Sequence, residues 1–204
     1  MTRKSTSALA PRLRRREVVS VLLADRGGIL VIAGLGAPAW DVTAAGDHPL
    51  NFPMWGAMGG AAMLGLGLAL AQPTRRVLVV TGDGEMLMGL GSLSTIGVSR
   101  VSNLAIVVLD NESYGETGQQ ASATGHSVSL AGVARECGIV DSSAPTTIEE
   151  VRTLRDRIHA EDRCVFAQVK IDPEKLPLVL PPRDSSYLKH RFRLALLGDS
   201  ALHD

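Results

Sequence analysis

Aromatic residues are scarce in this 204-residue chain: two Trp, two Tyr and three Phe, 3% in all. A core without large rings must be built from Val, Leu, Ala and Gly, which suits a parallel sheet covered by closely packed helices. Cysteine is nearly absent. Cys137 and Cys164 stand alone, which excludes a disulfide scaffold and a paired-cysteine metal site and reads as reduced thiols of a cytoplasmic protein. Neither sign of charge is in excess, with 21 basic and 21 acidic residues, so no global field draws the chain to nucleic acid or to an anionic membrane. No apolar segment follows the basic N-terminus, so no signal peptide is legible. No internal repeat is present.

The first basic stretch carries Arg3, Lys4, Arg12, Arg14, Arg15 and Arg16 and no acid before Glu17. Residues 1–14 read as a solvated tail, with a nucleic-acid arm or an organelle address as the minor alternatives. From Pro49 to Thr74 no residue is charged, and Met54–Ala71 is apolar enough to raise a membrane span. The stretch is short, rich in glycine and bounded by Pro53 and Pro73, so it reads as a buried helix instead.

Strand and helix periods alternate along residues 15–172. A helix within Arg14–Gly27, spaced at Val18, Val21 and Leu22 and stopped by Gly27 and Gly28, precedes a strand, Ile29–Gly36. A short strand at Asn51–Met54 precedes an apolar helix from Ala57 to Ala71. Then come strand Val77–Thr81, one helix from Glu85 to Val98, and strand Leu104–Asp110. The segment Asn111–Ser127 is polar and too long for a mere connector. A helix capped by Ser129, an amphipathic helix from Thr147 to Ala160 and a strand from Cys164 to Ile171 complete the domain. Residues 173–204 read as an irregular tail, rich in Pro and then basic. The pattern predicts an α/β fold: a doubly wound, mostly parallel sheet with helices on both faces.

One stretch carries chemistry. Val77–Val80 reads as a strand buried on both faces, and Asp83 sits just past its carboxyl end, where open α/β sheets bind ligands. Glycines on both sides let the backbone approach a ligand closely. The helix that follows presents its N-terminus to an anion. A carboxylate beside an anion site implies a cation between them. If the next parallel strand lies adjacent, Asn111 aims its amide oxygen at the same point. Asp83, Asn111 and a backbone carbonyl suit magnesium, which takes few protein oxygens and fills its octahedron with phosphate and water.

Gly82-Asp83-Gly84 followed by Asp110-Asn111 resembles the signature of thiamine-diphosphate enzymes. The resemblance implies Asp83, Asn111 and the Ser113 carbonyl as Mg2+ ligands. It further implies that Gly82, Gly84, Glu85, Tyr114 and Gly115 surround the cofactor. Where the family often has Asn-Asn, this chain has Asp110-Asn111. The segment Gly56–Gly59 is similar to the one in which a glycine carbonyl, here Gly56, accepts from the cofactor's 4'-amino group. Met58 is then the apolar wedge that bends the cofactor, which brings its own imino nitrogen to the reacting carbon. More narrowly, residues 15–140 resemble the small subunits of sulfopyruvate decarboxylases and the matching half of phosphonopyruvate decarboxylases. That implies decarboxylation of a small 2-oxo acid.

The family also needs a glutamate against the pyrimidine ring, carried by a separate pyrimidine-binding domain. Glu85 lies at the phosphate end and Glu17 starts a basic helix, so neither serves. The resemblance therefore implies a partner (alpha) subunit of similar size. His48 and His126 are candidates for substrate contact or proton transfer, and Glu116, Gln119 and Gln120 lie in a loop that could fold over the cofactor. Alternatives are a carboligase subunit and a non-catalytic cofactor-binding or assembly subunit. Ala33–Pro38 also hints at a nicotinamide-dinucleotide turn, but it lacks the third glycine and the downstream acid.

Overall fold

The computed structural model describes residues 12–160 and 163–203. Among the described residues eight α-helices run in chain order: α1 (Arg15–Leu23), α2 (Ala37–Ala44), α3 (Ala61–Ala71), α4 (Asp83–Met88), α5 (Ser92–Ser99), α6 (Leu130–Glu136), α7 (Ile148–His159) and α8 (Ser185–Leu197). The strands are β1 (Leu30–Ala33), β2 (Asn51–Pro53), β3 (Val77–Gly82), β4 (Leu104–Asp110), β5 (Ser113–Tyr114), β6 (Gln120–Ala121), β7 (Asp141–Ser143) and β8 (Val165–Lys170).

Six strands form one parallel sheet in the order β2-β1-β3-β4-β8-β7. Its central strands are continuous runs of Val, Ile, Leu and Ala, as a sheet covered on both faces requires. Successive side chains serve opposite layers. Val77 and Val79 join Ala62, Leu66, Leu93, Ile96 and Leu130 under α3, α5 and α6. Leu78 and Val80 join Val18, Leu22, Val42, Val151 and Leu154 under α1, α2 and α7. The doubly wound α/β fold expected from the sequence is what forms. The chain leaves β1 toward one edge and returns through β3 on its other side, so the β1–β3 crevice is the topological switch point.

Several local readings need correction. The helix expected over Glu85–Val98 is two helices, α4 and α5, parted at Gly89–Gly91. A Cβ on Gly89 would lie 2.2 Å from the Gly59 carbonyl oxygen, so backbone packs on backbone there and the helix cannot run through. The apolar helix begins at Ala61 rather than Ala57, and only one of its faces is buried. Met63, Leu64 and Leu70 stay exposed on the other. No helix of the described residues is long and apolar enough to cross a membrane.

The C-terminal segment is not irregular throughout. Asp184 caps α8 by accepting from the Ser186 and Tyr187 N–H groups. Phe192 meets Phe52 of β2 edge-on, with ring centroids 5.6 Å apart. Arg191 pairs with Asp47. The N-terminal tail falls mostly outside the described residues. Of its basic side chains, Arg12 pairs with Glu112 and Arg14 with Glu174. Helix α2 and strand β7 had no counterpart in the sequence reading. The Ser129 cap is present, its hydroxyl accepting from Gly132 N–H at 3.0 Å.

Gly97 of α5 faces the Cys137 carbonyl oxygen, which a Cβ would meet at 1.8 Å, whereas nothing lies within 4 Å of a Cβ on Gly67. Gly97→Ala is expected to cost about 1–3 kcal/mol by overpacking against backbone. Gly67→Ala should be neutral or stabilising by up to about 1 kcal/mol through helix propensity. Urea unfolding of both variants checks this, and equal midpoints would contradict the α5–α6 contact.

Candidate functional site

The loops that leave the carboxyl ends of β1, β3, β4 and β8 enclose a cleft of about 770 Å³, part of it open to solvent, a size suited to a cofactor. After β1 come Leu35, Ala37 and Pro38, where Gly36 takes a left-handed φ of 78° and starts α2. After β3 come Gly82, Asp83, Gly84 and Glu85 at the start of α4. After β4 come Asn111, Ser113, Tyr114 and Gly115, and after β8 comes Ile171. Two helices thus begin at the cleft, and their first N–H groups favour an anion there.

Asp83 is 2% exposed. Burial pushes its carboxyl above the usual range, opposed chiefly by the Ser122 hydroxyl, which donates to Oδ2. Thr124 Oγ1 lies 3.3 Å from the same oxygen and donates to Asp110 Oδ1 at 2.7 Å. Asp110, wholly buried, adds a repulsive charge that raises Asp83 further. The hydroxyls of Ser122 and Thr124 lie between the two carboxylates.

A buried network holds the loop after β4. Asp110 accepts from Gln168 Nε2 at 2.6 Å, from Lys170 Nζ at 2.8 Å and from Glu112 N–H at 2.9 Å. Lys170 also reaches Glu112 Oε1 at 2.8 Å and the Thr124 carbonyl at 3.0 Å. Burial opposes the Lys170 charge, but Asp110 and Glu112 outweigh it and hold the ammonium above its ordinary pKa. Clamped in this way, Glu112 takes a left-handed φ of 62°, a strained setting for a side-chain residue. Asn111 Oδ1 accepts from Ser113 N–H at 3.0 Å, which orients the amide in the cleft. The Tyr114 ring lies where a Cβ on Gly84 would sit, at 2.6 Å, so only glycine lets the loop close over α4.

Glu85 faces the opposite wall. Its Oε2 accepts from Thr81 Oγ1 at 2.8 Å and from Leu35 N–H at 3.1 Å, and its Oε1 from Ala61 N–H at 3.4 Å. One carboxylate thereby ties the β1 loop to the segment that carries Met58. Burial raises its pKa against these donors. In that segment Ala57 adopts φ 58°, Trp55 Nε1 donates to the Pro182 carbonyl at 2.9 Å, and Met58 lines the cleft while remaining 38% exposed.

The structure therefore brings together Met58, Gly82, Asp83, Gly84, Glu85, Asn111, Ser113, Tyr114 and Gly115. Gly56 is exposed beside the rim and lines nothing. His48 and His126 are not brought to the cleft. His48 Nδ1 accepts from Leu50 N–H in the turn before β2, and burial followed by the nearby Arg26 lowers its pKa. His126 is exposed behind a 3-10 turn. Residues that the sequence reading missed include Leu35, Pro38, Arg15 and Asp41. The glycine turn at Ala33–Pro38 was noted, but as a dinucleotide pattern. Arg15 was noted only as one of a run of basic residues entering the first helix, and only the fold shows that α1 starts at the sheet's carboxyl edge.

Among the described residues no group of three His, Cys, Asp or Glu side chains could hold a metal. The donors at hand are one carboxylate, one amide oxygen and backbone carbonyls, a hard-oxygen set suited to magnesium only if phosphate and water supply the remainder. The open wall beside Gly82 and the two helix starts provide for that phosphate.

Residues 36–169 match the thiamine pyrophosphate enzyme C-terminal TPP binding domain, and the chain belongs to that family. Within it, the chain is 36% identical over 170 residues to the sulfopyruvate decarboxylase subunit beta of Methanocaldococcus jannaschii, covering 82% of this chain and 88% of that one. It is 34% identical over 183 residues to the subunit of the same name from Methanothermobacter thermautotrophicus, covering 89% and 92%. Phosphonopyruvate decarboxylase of Streptomyces viridochromogenes is 36% identical over 80% of this chain and 41% of its own. The fold is shared with benzoylformate decarboxylase from Polynucleobacter necessarius (TM-score 0.65, 20% identity, 87% of this chain) and with a 4-hydroxybenzoylformate decarboxylase of Rhodococcus jostii (TM-score 0.67, 17% identity, 86%). This chain spans 36% of each of those longer enzymes.

Glu85→Ala removes the acceptor for three donors and should destabilise the chain by about 1–3 kcal/mol. Glu85→Gln, which keeps one carbonyl oxygen, should cost less. Urea unfolding of the two variants measures the difference, and an Ala variant as stable as wild type would contradict the tether.

Proposed function

We propose that this chain binds thiamine diphosphate and Mg2+ as the diphosphate-binding subunit of a 2-oxo acid decarboxylase acting on a small acid of the sulfopyruvate or phosphonopyruvate kind. The observation that carries the reading is the meeting of buried Asp83 with Asn111 in one cleft between two helix starts, opposite Met58.

In this reading Asp83, Asn111 and the Ser113 carbonyl hold the metal, and Gly82, Gly84 and the start of α2 accommodate the diphosphate. Met58 enforces the bent cofactor, and Gly56, exposed and outside this chain's cleft, would offer its carbonyl to the aminopyrimidine where the partner completes the site. Once bound, the cofactor supplies the carbanion that adds to the 2-oxo carbon and the electron sink that lets carbon dioxide leave. The chain's own part is to bind, bend and screen. Tyr114 and the loop after β4 close one side, and the Glu85 tether fixes the spacing between the Met58 segment and the phosphate end.

The reading requires a partner. Of the acids that line the cleft, Asp41 is paired with arginines, Asp83 is taken as metal ligand, Glu85 is used by backbone donors, and Glu116 sits over Gly36 at the phosphate end. None is placed to serve a pyrimidine ring. The name "subunit beta" carried by the relatives supports an alpha chain that contributes the glutamate. So do the exposed apolar side chains of Trp55, Met58, Met63, Leu64, Leu70 and Met88, which a partner would cover.

Native mass spectrometry of the tagged chain purified from its own cells in magnesium is the direct test. The expected result is a hetero-oligomer with a second chain of similar size and bound thiamine diphosphate. A cofactor-free homo-oligomer that does not take up added thiamine diphosphate would overturn the proposal. In the assembled enzyme, Asp83→Ala should abolish magnesium-dependent cofactor binding. Met58→Ala should lower turnover more than cofactor affinity, and equal loss of both would remove the wedge role.

A further inference from the structure

Arg15 is the first residue of α1 and is 8% exposed, yet it lines the cleft. Arg14, Arg15 and Arg16 stand at the N-terminal end of that helix, where positive charge opposes the macrodipole. Such a placement costs helix stability and calls for a compensating anion. Part of the compensation is Asp41 on the second turn of α2, which is wholly buried. Arg16 Nε donates to Asp41 Oδ1 at 3.2 Å, and a terminal nitrogen of Arg16 donates to the Pro177 carbonyl. Arg15 Nε lies 3.2 Å from Asp41 Oδ2 but outside hydrogen-bonding geometry, so both atoms remain unsatisfied.

Two guanidiniums thus share the Asp41 carboxylate, and of the two only Arg16 makes a hydrogen bond to it. Arg15 donates no side-chain hydrogen bond to any described residue, although it is a fork of five donors. It is also the only basic side chain that lines the cleft among the described residues. A buried charge left in that state is costly unless an anion completes it.

The position of Arg15 selects the anion. It shares this part of the wall with Pro38 and Asp41 of α2, at the end where two helices begin, whereas Met58 belongs to the segment between β2 and α3. We infer that Arg15, oriented by Asp41, is a binding residue for the terminal phosphate of the bound diphosphate. The inference rests on the thiamine-diphosphate reading above and adds a ligand that neither Asp83 nor Asn111 supplies. Planar guanidinium forks match phosphate oxygens in pairs, which a lysine cannot do. Asp41 is the positioning residue, since its carboxylate is engaged by Arg15 and Arg16.

The test compares thiamine diphosphate with thiamine monophosphate, which lacks the terminal phosphate, by calorimetric titration of the assembled protein in magnesium. Arg15→Gln should weaken the diphosphate about ten- to a hundred-fold, the loss of charge-assisted hydrogen bonds, and leave the monophosphate unchanged. Arg15→Lys, which keeps the charge and is the milder change, should lose less of that preference and serves if the Gln variant fails to fold. Equal weakening of both ligands, or an unchanged diphosphate-to-monophosphate ratio in the variant that folds, would overturn the inference. An unchanged ratio with a raised KM for an acid-tailed 2-oxo acid would assign the guanidinium to substrate instead and overturn it equally. Wild-type protein that binds neither ligand would remove the thiamine-diphosphate reading itself, a result distinct from any failure of Arg15.

Discussion

Everything at the cleft depends on the pairing of β3 with β4. Parallel strands in register place Gly82 beside Leu109, so the residues one and two steps further on, Asp83 and Asn111, leave the sheet at the same edge. A slip of one residue would turn the alternating side chains of β4 to the wrong layer and carry the loop behind it out of reach. The register is held by burial on both faces: every residue of β4 is buried, and so is every residue but the last of the neighbouring strands β3 and β8. A core low in aromatics is therefore no weakness here. Small branched side chains let helices lie close to the sheet, and the sheet in turn fixes two oxygen ligands that are distant in sequence.

Around that edge, the polar chemistry is arranged to keep strained segments in place. Glu112 at φ 62° and Ala57 at φ 58° each take a conformation that costs about 1–2 kcal/mol for a residue with a Cβ. Each belongs to a segment tied down by a buried carboxylate. Asp110 and Lys170, partners across adjacent strands, clamp the first, while Glu85 clamps the second through the backbone at Ala61. The resemblance to families that place asparagine before Asn111 makes Asp110 a departure, and Lys170 gives it a physical account. A carboxylate buried 2.8 Å from an ammonium is paired, whereas one left beside Asp83 alone would repel it.

The parallel sheet and the Asp83–Asn111 pair were legible because they depend on local signals: apolar runs, glycine turns and a spaced motif. What was not legible depends on contacts between segments remote in sequence. The break between α4 and α5 follows from Gly89 meeting Gly59, thirty residues earlier, which no helical period reveals. Helix α8 was hidden because only Leu188 and Phe192 of its apolar residues are buried, and Phe192 becomes informative only against Phe52 of the edge strand. The two histidines were chosen for their chemistry alone, and the fold sends them elsewhere. Arg15 failed in the opposite direction. Its charge was noted only as part of a basic run at the start of the first helix, although the fold carries it into the cleft.

The composition of the cleft also explains why metal and diphosphate would be bound together on the proposed reading. Among the described residues one carboxylate and one amide reach the cation position, too few for tight magnesium binding without further oxygens. Conversely, a diphosphate entering without the metal would face the acids that line the cleft, Asp83 among them, with Arg15 alone to offset them. Each partner thus removes the obstacle to the other: the cation cancels the repulsion, and the phosphates complete the cation's shell. The hydroxyls of Ser122 and Thr124 hold the carboxylate in position before either arrives, so the site is oriented in advance and little ordering remains to oppose binding.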